Sequence, residues 1–233
     1  MHCVIIPARS GSKGLKDKNV KLLAGKPLMA HTIQSAIASG IFDEIFVSTD
    51  SERYAAIAKE QKASVPFLRD KKYATDNAST WAVVKEAVSQ YKSAGKIFSF
   101  VTLLQPTSPL RTVSDIMAAY EIFIEKKAKA VVSVCKADHS PLWCNVLPSN
   151  NSLNGFILPE AAVPRQELST YYRLNGAIYI IDLKKIDLDD VNLFQKGCYA
   201  YIMSKRNSVD IDDDIDFMLA ESIMAGGATC QKS

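Results

Sequence analysis

Short apolar runs that alternate with helix-like segments constrain this chain more than any other feature. HCVIIPA (2–8), EIFVSTD (44–50), ASVPFL (63–68), IFSFVTLL (97–104) and AVVSVCK (130–136) are rich in β-branched and aromatic residues, of strand length, and bounded by polar or turn residues. Between them stand PLMAHTIQSAIASG, SERYAAIAKEQ, STWAVVKEAVSQYKSAG and TVSDIMAAYEIFIEK, the first with Pro27 suited to a helical first turn and Gly40 to its end. Apolar strands separated by amphipathic helices predict an α/β fold: a doubly wound, mostly parallel sheet covered on both faces, because each crossover helix shields the sheet.

Beyond Lys136 the rhythm changes. Residues 137–171 contain Pro141, Pro148, Pro159, Pro164 and the run PSNNSLNG, and they suit loops with short antiparallel strands. GAIYIID (176–182) and CYAYIM (198–203) read as strands again, and DDIDFMLAESIMAGG as a last helix with an acidic start and a glycine stop. With 233 residues, the upper end for one domain, the chain divides into a core of 1–136 and 172–233 and a small protruding element of 137–171.

A formal charge of only +3 is too slight for a general nucleic-acid or membrane polycation, so neither partner is expected. The five cysteines are scattered, with no spacing that suggests zinc, and no apolar stretch approaches the ~18 residues of a membrane span. A reducing, cytoplasmic setting is the expectation.

Charge is concentrated in IIPARSGSKGLKDKN (5–19), where Arg9, Lys13, Lys16 and Lys18 are laced with Gly11 and Gly14 directly after the first strand. In open α/β sheets the ligand edge lies beyond the carboxyl ends of the strands. Glycines let backbone N–H groups approach closely, arginine offers a bidentate fork and lysines offer point charges, a set suited to a triphosphate. A solvated surface loop is the plain alternative. Neither a Walker loop nor a G-x-G-x-x-G fingerprint fits.

LLQPTSPLR (103–111) would present Gln105, Thr107, Ser108 and Arg111 at the same edge on a proline-stiffened loop, or serve only as a connection with a helix cap. In SVDIDDDIDF (208–217) an extended backbone would point Asp210 and Asp212 the same way, a geometry for a hard divalent cation shared with phosphate oxygens. Asp213 and Asp214 suit a helix start. In PRQELSTYYRLNGAIY (164–179), Arg165 and Arg173 could bind a carboxylate or phosphate, with Asn175–Gly176 forming a turn that delivers them.

Together PARSGSKGL, VSTDS, LLQPTSPLR, PRQ with YRLNGAIY, and YIMS with VDIDDDIDF closely resemble the acylneuraminate cytidylyltransferases, in order over about residues 3 to 220. The resemblance implies a nucleotidyltransferase-like fold and a homodimer whose protruding element reaches over the partner's site. It implies a Mg²⁺-dependent reaction of CTP with a nine-carbon sugar acid, giving the CMP-sugar and diphosphate. By motif, Arg9, Ser12, Lys18 and Asn19 would hold the triphosphate, while Arg69 and Ser79 would recognise cytosine. Gln105, Tyr179 and Phe194 would contact the sugar acid, and Arg165 would reach its carboxylate from the other subunit. Asp210 and Asp212 would bind Mg²⁺, and Arg9, Lys18 and Asp212 would carry the catalysis.

Trp143, in DHSPLWC, stands where several sialic acid enzymes place a lysine, so legionaminic, pseudaminic and Kdo substrates stay open beside sialic acid. A dinucleotide-binding oxidoreductase is the rival from another class. Its ribose-binding acid would be Asp50, but Asp50 lies 36 positions beyond Gly14, where the fingerprint places it about 20 on.

Overall fold

Strands buried on both faces, their successive side chains pointing to opposite sides, build the centre of the sheet. The computed structural model describes residues 1–11, 14–75, 78–159 and 163–227. In chain order the strands are β1 (His2–Pro7), β2 (Leu22–Leu23), β3 (Lys26–Pro27), β4 (Glu44–Ser48), β5 (Phe100–Leu104), β6 (Ala130–Lys136), β7 (Tyr172–Asp182) and β8 (Cys198–Met203). The helices are α1 (Leu28–Ser39), α2 (Glu52–Glu60), α3 (Thr80–Ser93), α4 (Val113–Glu125) and α5 (Asp214–Gly227).

Six strands form one sheet in the order β4-β1-β5-β7-β6-β8, parallel except for β7, which runs antiparallel to both neighbours; β2 and β3 form a separate hairpin. Val4 and Ile6 of β1 point to one face, where Met29 and Ile33 of α1, Tyr54 of α2 and Ile116 and Phe123 of α4 cover them. Cys3 and Ile5 point to the other, under Val84, Ala87 and Tyr91 of α3 with Ile186 and Leu193. A third cluster joins α5 to the hairpin through Phe217, Ala220, Leu23 and Ile211. Both faces are covered, as the doubly wound expectation requires.

Three local expectations are corrected. The run at 63–68 is not a strand: Ser64 alone bridges to Phe46, because Pro66 has no N–H to continue the ladder. Within 137–171 the described residues form 3-10 turns at Pro141–Trp143 and Arg165–Glu167 and no strand. This segment places no described side chain in the buried core and leaves Val146, Leu147, Leu153 and Leu158 exposed. Asn175–Gly176 is not a turn but lies inside β7. There the pairing jumps from Val132↔Tyr179 to Val134↔Leu174, a bulge with Gly176 at φ 72°.

His2 is buried against Phe42 and Tyr120, its Nε2 2.7 Å from Thr102 Oγ1. Burial, only partly opposed by Asp43, lowers its pKa to about 4. The folded state therefore keeps His2 neutral, whereas the unfolded chain takes up a proton near pH 6.5. Stability from this group is complete above that pH and is lost as pH falls from about 6.5 towards 4. Between pH 7 and pH 5 the wild-type chain should lose about 2 kcal/mol more than His2→Gln in urea unfolding. Equal losses would remove the assignment.

Candidate active site

Three strand ends and one returning segment converge on a cleft of about 460 Å³. Arg9 follows β1, Arg69 sits beyond β4, and Gln105, Pro106 and Thr107 follow β5. Asp210 and Asp212 arrive from the segment before α5. Tyr73, Thr75, Ala78, Thr80 and Val83, around the start of α3, line the remaining wall.

The basic loop is tied down at several points. Ser10 donates its backbone N–H and its hydroxyl to Asp50, at 2.8 and 2.7 Å. Asn19, buried, donates its amide to the Arg9 carbonyl at 3.1 Å. Lys18 Nζ donates to the Ile211 carbonyl at 2.6 Å and stands 3.2 Å from Asp212 Oδ1. Backbone meets backbone as well, since a methyl built on Gly14 would stand 2.6 Å from the Asp212 carbonyl oxygen. Segments far apart in the chain thus close on one another, cations on one side and carboxylates on the other. Lys16 is exposed and does not line the cleft, so that charge belongs to the solvated part of the loop.

Arg69 is buried, donating Nε to Ser48 Oγ at 2.9 Å and Nη2 to the Ser48 carbonyl at 2.6 Å. Burial, opposed by Asp50, brings its pKa down to about 10, so it keeps its charge at neutral pH. Asp210 is shifted the other way: burial raises its pKa, Asp212 adds to the rise, and the Thr107 hydroxyl and Lys18 oppose it. Its Oδ1 is buried with no hydrogen-bond partner. Asp212, with its side chain 81% exposed, faces solvent on the same cleft.

An unpartnered carboxylate oxygen and a second open carboxylate fit a divalent cation. Among the described residues no group of three or more His, Cys, Asp or Glu side chains gathers to cage one. That donor set suits Mg²⁺, which takes one or two carboxylates and completes its shell with water and substrate phosphates.

Asp210 and Asp212 are held by two devices. Asp213 and Asp216 cap α5 reciprocally, and Asp216 Oδ2 also accepts the Asp212 backbone N–H at 3.0 Å. Upstream, the Asn175 amide in the β7 bulge donates to Ser208 Oγ at 2.9 Å and accepts from Ser133 Oγ at 2.6 Å. Asn175→Ala should cost about 2 kcal/mol, because buried hydroxyls lose partners, and should lower turnover by slackening the segment that carries Asp210. Urea unfolding beside an activity assay checks both; a variant as stable as wild type would remove Asn175 from this role.

Several expected residues lie elsewhere. Ser108 and Arg111 are not presented to a ligand but buried. Arg111 donates to the carbonyls of Gln105 (3.2 Å) and Ala177 (2.9 Å) and to Thr32 Oγ1 (2.7 Å), staking the loop to β7 and α1. Ser79 caps α3, accepting the Trp81 N–H at 3.2 Å, and faces a neighbouring groove. Tyr179 is half-buried, edge-on to Trp81, and burial, then Asp210, raises its pKa. Arg173 and Phe194 do not line the cleft. Phe194, 76% exposed, lies beside Leu174 and Tyr199 over an apolar hollow on β6 and β8. Ser12 lies outside the described residues, as does the side chain of Arg165.

Asp50, Asn175 and Asp216 are structural members of the site that motif reading passed over or misassigned. By spacing Asp50 reads only as a ribose ligand, yet the end of a strand beside β1 is the place from which a loop after β1 can be tethered. The spacing Asp213-x-x-Asp216 was itself a capping signal.

A basic, glycine-containing loop closing on paired carboxylates at the carboxyl edge of a mostly parallel sheet defines a nucleotidyltransferase. A cytidylyltransferase family model matches residues 3–223, and the chain belongs to that family. It is 39% identical over 227 residues to the CMP-N,N'-diacetyllegionaminic acid synthase of Legionella pneumophila, covering 94% of each chain. It is 40% identical over 220 residues to the N-acylneuraminate cytidylyltransferase of Escherichia coli O18:K1:H7, covering 94% of this chain but about half (51%) of that one. The pseudaminic acid cytidylyltransferase of Campylobacter jejuni is 33% identical over 215 residues, covering 91% of this chain and 92% of its own. Among solved structures, a CMP-2-keto-3-deoxy-manno-octonic acid synthetase complexed with CTP superposes with a TM-score of 0.73 at 15% identity, over 97% of this chain and 99% of that one. It shares the fold. No helix among the described residues is long and apolar enough to cross a membrane.

Proposed function

We propose that the chain activates a nine-carbon nonulosonic acid of the N-acylneuraminate type with CTP, giving the CMP-sugar acid and diphosphate. The contact of Lys18 with Asp212 across the cleft is the observation that carries this reading. The anomeric hydroxyl oxygen forms a bond to the α-phosphorus and releases its proton to solvent, the bond from that phosphorus to the bridging oxygen breaks, and diphosphate leaves with the electron pair. Arg9 and Lys18 offset the charge of the triphosphate and of the departing diphosphate. Asp210 and Asp212 would hold Mg²⁺, which when bound supplies further positive charge for the phosphates and acidifies the attacking hydroxyl. Ser108, buried, plays no part as a nucleophile.

N,N'-diacetyllegionaminate is the second reading, favoured by the match with the Legionella synthase over 94% of each chain. Diphosphate release with CTP and a panel of N-acetylneuraminate, diacetyllegionaminate, pseudaminate and Kdo tests both. One of the first two should give the highest kcat/KM; a panel that never exceeds the rate without sugar overturns the proposal.

A second copy of this chain would cover the exposed Leu174, Phe194 and Tyr199 and the apolar residues of 137–171, bringing Arg165 to the sugar carboxylate. Arg165→Ala should raise the sugar-acid KM about tenfold with the CTP KM unchanged. An unchanged sugar-acid KM would remove Arg165 from the site.

A further inference from the structure

We propose that Asp17 and Tyr54 form a latch that positions Lys18 for the nucleotide, a role resting on the CTP reading above. Asp17 has φ 53° and ψ 29°, the left-handed conformation that residues other than glycine rarely adopt. It stands at the cap position of the 3-10 turn Lys18–Val20, yet its side chain makes no capping bond there. Instead the carboxylate turns to α2, accepting the Tyr54 hydroxyl at 2.9 Å and approaching Arg53 Nη1 at 3.4 Å.

Tyr54 is a fixed point. It is 1% exposed, within the apolar layer beneath α1 and α2. Burial, then Asp17, pushes its hydroxyl pKa up, so it remains a donor through neutral pH. The start of α2 therefore grips the basic loop twice: Asp50, two residues before the helix, holds Ser10, and Tyr54 holds Asp17.

The consequence falls on the next residue. A lysine has a long, flexible stem, and where its ammonium reaches depends on its backbone being held. Asp17 supplies that hold on one side of Lys18 and Asn19, bonded to the Arg9 carbonyl, supplies it on the other. Lys18 itself is only 12% exposed at its side chain, aimed at Ile211 and Asp212.

Three variants separate the latch from simple folding. Tyr54→Phe removes one hydroxyl, Asp17→Gly keeps the left-handed backbone but loses the anchor, and Asp17→Asn keeps both the backbone preference and an acceptor. Calorimetric titration with CTP should show the first two binding about five- to tenfold more weakly, the third close to wild type. The sugar-acid KM should stay unchanged in all of them. Trypsin, without nucleotide, should cut after Lys16 and Lys18 faster in Tyr54→Phe and Asp17→Gly than in wild type and Asp17→Asn. Wild-type CTP affinity in the first two, or unchanged cleavage, overturns the latch. Failure of the wild-type protein to bind CTP sinks instead the nucleotide reading, and the cleavage rates then still decide whether Asp17 and Tyr54 hold the loop.

Discussion

Asp210→Asn is expected to lose turnover by about a thousandfold while unfolding at a temperature no lower than wild type. The two halves of that result have one cause. The Asp210 carboxyl is held where burial raises its pKa and one oxygen finds no partner, so its ionised form is costly to the empty protein. A folded pKa raised above the unfolded value means a contribution to stability that is present at low pH and lost as pH rises through the folded pKa. At neutral pH the charge is therefore a burden on folding, and the neutral amide relieves it. What the site loses is a full negative charge for a cation bridging to the triphosphate. Asp212→Ala should be comparably inactive with little change in stability, because its exposed ion pair with Lys18 is worth only about 0 to 1 kcal/mol. Diphosphate release at saturating Mg²⁺, beside thermal unfolding of each variant, checks both; a substantially active Asp210→Asn would separate that residue from the chemistry.

Gly14→Ala is the second large effect. Gly14 does not have a left-handed backbone, so alanine brings no intrinsic strain; its methyl would instead meet the Asp212 carbonyl oxygen at 2.6 Å. A backbone atom cannot swing aside, and either the loop or the 210–212 segment must retreat. Lys18 would then lose the Ile211 carbonyl and Asp212 together. A displacement of this order typically costs about a hundredfold in kcat. Gly11→Ala is the control. Gly11 has φ 69° and open space around its missing side chain, so alanine there costs about 1 kcal/mol in the loop and leaves the cleft walls in register. Steady-state kinetics should put Gly14→Ala far below Gly11→Ala; equal rates would mean that the approach of the two segments does not matter.

Much of this architecture was legible in the residues. The unbroken apolar run Cys3, Val4, Ile5 and Ile6 marks β1 as a strand covered on both faces, and all five helices fall where apolar periodicity and end signals place them. The exceptions have local causes. Pro66 ends a ladder that ASVPFL would otherwise continue, and the Asn175–Gly176 pair reads as a turn because a bulge inside a strand uses the same residues. At the site, Arg9, Lys18, Asn19, Arg69, Gln105, Asp210 and Asp212 line one cleft. Arg111 misled because sequence does not tell an arginine that reaches outward from one folded back onto carbonyls. Asp17 and Tyr54 were invisible for a related reason: their contact depends on how a left-handed residue aims its side chain, which spacing does not encode.

The central claim is that the cationic loop and the two aspartates hold a nucleotide between them. Anomalous scattering from Mn²⁺ in crystals grown with CTP tests it most directly. The account predicts an ion against the Asp210 and Asp212 carboxylates, with the triphosphate between it and the loop carrying Arg9 and Lys18. An ion and nucleotide bound away from this cleft, or a triphosphate touching neither Lys18 nor the ion, would contradict it.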